Sequence, residues 1–93
     1  MKTFTIYTDP GHGWLRVPIA IIDSLGIGHK ISAYSYIRKD HAYLEEDCDM
    51  GAFMIAFRDK HGNDPVIREA NRREGYSKIR SYARFTYYPR KGV

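Results

Sequence analysis

The sequence predicts an α+β fold: one small domain with a mostly antiparallel sheet and two helices on one face, in the order β-β-α-β-β-α-β-β. Three observations carry this. Runs such as Thr3-Phe4-Thr5-Ile6-Tyr7-Thr8 alternate apolar and polar residues, the period of a half-buried strand. Turn strings, among them Asp9-Pro10-Gly11-His12-Gly13 and Arg38-Lys39-Asp40, separate such runs at hairpin distances. Met50, Phe53, Met54 and Phe57 recur at i, i+3, i+4 and i+7, the stripe of an amphipathic helix.

The first strand covers Thr3 to Thr8, with Phe4 and Ile6 on one face, and Trp14 to Val17 returns from the Asp9–Gly13 turn as its hairpin partner. Pro18 opens the first helix, where its missing N–H costs nothing. Ile19, Ile22 and Leu25 form that helix's buried stripe, and Gly26 stops it. Ile31 to Ile37 is predicted as a strand with Tyr34 and Tyr36 opposite Ala33 and Ile37, and His41 to Glu46 returns beside it. Asp47 or Asp49 is expected to cap the second helix, where a carboxylate also meets the positive end of the macrodipole. Lys60 and His61 occupy its last turn and Gly62 ends it. Val66-Ile67 begins a short strand, Ala70 to Ser77 reads as a charged loop, and Tyr82 to Tyr88 alternates like a last strand. Merging Trp14–Val17 into the first helix gives the alternative β-α-β-β-α-β order of a ferredoxin-like unit, against which Pro18 argues.

With 93 residues there is room for a single core, spanning 1–93. A chain of this size buries only roughly 60–65% of its unfolded surface, so a homodimer is a natural reinforcement. Cys48 is the one cysteine, which excludes an intrachain disulfide and a cysteine-built zinc cage and fits a reducing cytoplasm. No apolar run approaches the roughly 20 residues of a membrane span, and Met1-Lys2-Thr3-Phe4 has no signal-peptide character.

Charge is distributed unevenly. Residues 65–93 hold eight Lys/Arg against two Glu, whereas residues 1–64 hold seven Lys/Arg against nine Asp/Glu. The basic C-terminal segment 65–93 is also rich in tyrosine, a pairing suited to nucleic acid, since cations neutralise phosphates and rings stack on bases. Arg72, Arg73, Tyr76, Lys78, Arg80, Tyr82 and Arg84 are the expected nucleic-acid-binding residues. The competing reading leaves these arginines paired with the acidic first half of the chain.

Two other constellations bear on chemistry. The Asp9–Trp14 turn could cradle an anion with its backbone N–H groups, or simply be a tight turn. The string Tyr43-Leu44-Glu45-Glu46-Asp47-Cys48-Asp49 crowds carboxylates at a helix start, which capping explains as well as catalysis does. Together Asp9, His12, Glu45 and Glu46 define the alternative of a small metal-dependent hydrolase or nuclease. The histidines (His12, His29, His41, His61) show no metal-ligand spacing, so no metal or cofactor is expected.

The strings Asp-Pro-Gly-His-Gly-Trp-Leu at 9–15, Ile-Ser-Ala-Tyr-Ser-Tyr at 31–36, Tyr-Leu-Glu-Glu-Asp-Cys-Asp at 43–49 and Ser-Lys-Ile-Arg-Ser-Tyr at 77–82 resemble a family of small uncharacterised proteins of bacteriophages, prophages and other mobile elements. The resemblance implies an accessory protein acting in the host-cell cytoplasm, directed at host machinery or host defence. Residues from Arg16-Val17-Pro18 through Leu25-Gly26-Ile27 to a hairpin near Glu46 are similar, over a shorter span, to AbrB-like DNA-binding domains, although Glu45-Glu46-Asp47 is acidic where those domains are basic. The functional expectation is a non-enzymatic phage accessory protein that binds nucleic acid or a nucleotide-like anion through its basic C-terminal third. The alternative partner is a host protein complex, for which the chain would be an inhibitory or anti-defence interaction module.

Overall fold

The computed structural model describes residues 2–70, 75 and 77–87. The expected α+β architecture is observed: a six-stranded sheet in the order β5-β1-β2-β4-β3-β6, carrying two helices. β1 (Thr3–Thr8) and β2 (Gly13–Pro18) form the predicted hairpin, with Tyr7 opposite Trp14 and Thr5 opposite Arg16. β2 is therefore a strand in its own right, and the ferredoxin-like merger does not occur. α1 (Ile19–Leu25) follows Pro18 directly, and Gly26 closes it in the left-handed conformation at φ 69°. β3 (Tyr36–Arg38) and β4 (His41–Glu45) form the second hairpin. α2 (Asp49–His61) ends at Gly62, and β5 (Val66–Glu69) lies parallel to β1 at one sheet edge. β6 (Ala83–Arg84) pairs with β3 at the other.

Alternation along the strands places Phe4, Leu15, Val17, Ala42 and Leu44 on one face, where they meet Ile19 and Ile22 of α1 and Phe53 and Phe57 of α2. Phe4 packs edge-on against Phe53 and Phe57, at centroid distances of 5.1 and 5.9 Å. Met50 and Met54 border this core half-buried, so the helical stripe read from the sequence is the face that docks.

Three expectations are corrected. Residues 31–35 are not strand: Gly28–Lys30 form a 3-10 turn, and the chain bends so that Ser32 and Ser35 reach α2. Their hydroxyls donate to the buried carboxylate of Asp49, at 2.7 and 2.5 Å, which holds β3 to its neighbour only from Tyr36 onward. Neither Asp47 nor Asp49 caps α2. The Glu45 carboxylate does so, accepting the N–H groups of Asp47, Cys48 and Asp49. The last strand is two residues long, preceded by a 3-10 turn at Lys78–Ser81. Beyond it Phe85 enters the helix-side core and Tyr87 lies against Gly28, where a β-carbon would overlap its ring. Most of the predicted loop 70–77, and Tyr88, fall outside the described residues. Among the described residues, no helix is long and apolar enough to cross a membrane.

Phe53 is fully buried whereas Ile55, two positions on, is 66% exposed. Phe53→Ala should therefore cost about 3–5 kcal/mol through lost transfer energy and a residual cavity. Ile55→Ala should stay within about 0.5 kcal/mol of the parent. Urea denaturation followed by circular dichroism checks both.

Candidate functional site

The sheet face opposite the helices is built from the other half of each strand's alternation. Pairing registers place one residue from every strand in a single transverse row: Arg68 opposite Thr5, Thr5 opposite Arg16, Arg16 opposite Tyr43, Tyr43 opposite Tyr36, and Tyr36 opposite Arg84. With strands about 4.8 Å apart, this row spans about 24 Å and carries an arginine at each end and one within. Flanking rows add Tyr7, Trp14 and Glu45 on one side, and His41 with Arg38 on the other.

Part of this face is covered. The C-terminal segment crosses it and seats Ile79 against Trp14 and Tyr43, forming a second, smaller core bordered by Tyr7, Tyr36 and Tyr82. Tyr82 packs on Tyr43 at 5.1 Å, and Trp14 meets Tyr36 at 6.2 Å. Trp14 and Tyr43 are thereby consumed by packing, whereas Tyr36 and Tyr82 remain half-exposed and Tyr34 is 74% exposed. Burial raises the Tyr43 phenol, aided by Tyr82 and opposed by Arg16. Burial likewise lowers His41, with the charge of Arg16 adding to the effect and Asp40 opposing it.

One buried carboxylate fastens the crossing segment. Asp9 accepts from Arg80 through Nε at 2.8 Å and Nη2 at 2.9 Å, and from the Ser77 N–H at 2.9 Å. Its own turn contributes the N–H groups of Gly11 at 3.0 Å and His12 at 3.1 Å. Gly11 is needed here for space, because a β-carbon would stand 2.9 Å from Arg80 Nη2. The Arg80 guanidinium, helped by these N–H donors, holds the Asp9 carboxyl far below the usual carboxylate range despite its burial. The Asp9–Trp14 string is thus a fastening turn, and its carboxylate faces inward.

Next to this latch lies a cavity of about 450 Å³. His12, Trp14, Tyr34 and Tyr36 supply ring walls, Arg80 and Arg84 supply guanidinium groups, and Glu45, Asp47 and Cys48 close the side toward α2. Among the described residues three guanidinium groups sit over rings: Arg80 over Trp14 at 5.3 Å, Arg84 over Tyr36 at 5.3 Å, and Arg38 over Tyr82 at 4.9 Å. Such stacking orients the cations over the rings.

The structure separates the predicted site residues. Arg72, Arg73 and Tyr76 lie outside the described residues. Lys78 is exposed on the 3-10 turn, Arg80 is held by Asp9, Tyr82 lies beneath Arg38, and Arg84 borders the cavity while donating to the Ala33 carbonyl at 3.0 Å. The cationic surface is therefore wider than the C-terminal third, since Arg16 and Arg38 join it from the acidic part of the chain. Their signal in the sequence was the i, i+2 spacing of Trp14 with Arg16 and of Tyr36 with Arg38. Of the hydrolase set, Asp9 and Glu45 have both oxygens committed to N–H donors. Burial raises the Glu45 carboxyl, but its three backbone donors and the nearby His12 outweigh that and leave it lowered. Glu46 and His12 are exposed, and among the described residues no group of three or more His, Cys, Asp or Glu is placed to hold a metal ion.

Comparison of the chain with protein-family models, curated proteins and solved structures finds no match.

Asp9→Asn should cost about 1.5–3 kcal/mol, because it removes the charged acceptor shared by Arg80 and the N–H groups of Gly11, His12 and Ser77. A carboxylate held low when folded stabilises the native state above its unfolded value, about 3.9, and progressively less below it. The parent protein should therefore lose stability as the pH falls below about 4, and the Asn variant should show less of that loss. Thermal melts between pH 2 and 7 measure the difference.

Proposed function

We propose that this chain binds single-stranded nucleic acid across the open face of its sheet and performs no chemistry on it. The observation that carries the reading is the transverse row Arg68–Thr5–Arg16–Tyr43–Tyr36–Arg84. Among the described residues no carboxylate forms an ion pair with Arg16, Arg38, Arg68 or Arg84. Desolvating these arginines against phosphate releases counterions without first breaking an internal salt bridge. The accessible rings of Tyr34, Tyr36 and Tyr82 lie among them, and a ring face can stack only on a base that is unpaired. Neither feature favours a duplex, whose bases are already stacked and whose major groove asks for a protruding helix or ribbon.

In this reading Arg16, Arg38, Arg68 and Lys78 meet phosphates, while Tyr36 and Tyr82 stack. Arg80 acts indirectly, by keeping the crossing segment in place. The reading retains the basic C-terminal residues Lys78, Tyr82 and Arg84 and extends the surface over the whole sheet. An accessory role in a phage or other mobile element, implied by the four resembling strings, is part of the same proposal.

Fluorescence anisotropy with labelled DNA and RNA oligonucleotides over a salt series tests it. Each phosphate contact contributes about 0.7 to the log–log salt slope for a single strand, so joint replacement of Arg16, Arg38 and Arg68 by Ala should lower the slope by about 2. Tyr36→Ala should weaken binding by about 1–3 kcal/mol with the slope unchanged. Absence of binding, or a slope indifferent to the triple replacement, would overturn the assignment.

A further inference from the structure

Resting on the single-strand reading, we propose that the cavity between the sheet face and the start of α2 is a subsite for one unpaired guanine base. Its volume of about 450 Å³ lies within the range of small-ligand pockets. The rings of His12, Tyr34 and Tyr36 offer faces for stacking, with Trp14 filling the interior behind them.

The polar groups of the cavity differ in what they have left to give. Glu45 is occupied by three backbone N–H groups, and Arg80 is occupied by Asp9. Asp47 is exposed, and its carboxylate has no hydrogen-bond or ion-pair partner among the described residues. Arg84 spends one Nη on the Ala33 carbonyl and keeps its other donors. Among the cavity's charged groups, Asp47 from the turn before α2 is an acceptor-only group without a partner among the described residues, and Arg84 from β6 is a donor-only group with donors to spare.

Guanine is the base that meets both demands. Its N1–H and N2–H₂ are adjacent donors that a carboxylate can take with two oxygens, and its O6 and N7 are the acceptors a guanidinium prefers. Adenine and cytosine offer a single amino group beside a ring-nitrogen acceptor. Uracil and thymine offer one N–H flanked by carbonyl oxygens, which a carboxylate repels. Discrimination then arises from Asp47 as much by rejection as by attraction.

The test uses the full chain and four RNA heptamers, UUUXUUU with X as G, A, C or U, titrated by anisotropy at one salt concentration. The G heptamer should bind about 10-fold tighter than the other three, the selectivity one good bidentate base contact supplies. Asp47→Asn should reduce that preference to about twofold or less without weakening the all-U heptamer. Asp47 is exposed, so the variant should fold, and its melting curve verifies this. Tight but equal binding of all four heptamers, or a preference that survives Asp47→Asn, overturns the guanine subsite and leaves the single-strand reading standing. Failure of every heptamer to bind overturns both.

Discussion

The Asp9 carboxylate organises everything on the open face of the sheet. It joins a turn near the start of the chain to a guanidinium 71 positions later. Closing so long a loop is entropically expensive, and the net value of a single hydrogen bond is about 1 kcal/mol. The latch works because it gathers donors from both sides onto one buried carboxylate, three of them backbone or side-chain groups of the crossing segment. Ile79 then buries its side chain on Trp14 and Tyr43, supplying the apolar area that polar bonds alone do not. Without the carboxylate, Ile79 and the rings beneath it would have no fixed relation, and the cavity beside them would lose a wall.

The two faces of the sheet divide the work of a small domain. Leu15 and Val17 bind the helices, while Trp14 and Arg16, one position out of phase, face away. Stability is concentrated on the helix side, where a dozen buried side chains form the main core. Among the described residues, the hydrophobic cluster on the open face holds three buried side chains, and Tyr36 and Tyr82 beside it lie under stacked guanidinium groups. An Arg lying over a Tyr shields the ring from water. That arrangement lets a small domain keep aromatic surface without presenting a bare apolar patch.

Local patterns were legible wherever the chain's neighbours along the sequence decide the outcome. The β1–β2 hairpin, the α2 stripe and the two glycine stops at Gly26 and Gly62 all belong to this class. Long-range partners decided the rest. Ile31-Ser32-Ala33-Tyr34-Ser35 alternates as a strand does, but Asp49 takes the Ser32 and Ser35 hydroxyls and turns the segment aside. Periodicity holds no information about that competitor. The cap of α2 was misplaced for a related reason: the carboxylate that satisfies its first N–H groups comes from the end of β4. The site was half-legible. Lys78, Tyr82 and Arg84 were visible as a basic aromatic segment, whereas Arg16, Arg38 and Arg68 join them only through strand register, which no local window reveals.

The acidic string shows how one run of like charges is parcelled into different roles by geometry. Glu45 alternates onto the open face and then bends its carboxylate over the start of α2. Asp49 points inward to the serines, and Glu46 lies beside Gly13 at the edge of the β1–β2 turn. The Asp47 carboxylate is exposed and has no hydrogen-bond or ion-pair partner among the described residues. A carboxylate so near a cationic face is costly for a protein that only grips phosphate, because it weakens the field drawing the polyanion in. The position makes physical sense if the charge is used to read a base edge, since an acceptor-only group repels carbonyls and ring nitrogens while the surrounding arginines hold the backbone. In that reading affinity and selectivity belong to opposite charges on neighbouring elements, and the sheet register that assembles the arginines also sets their distance from Asp47.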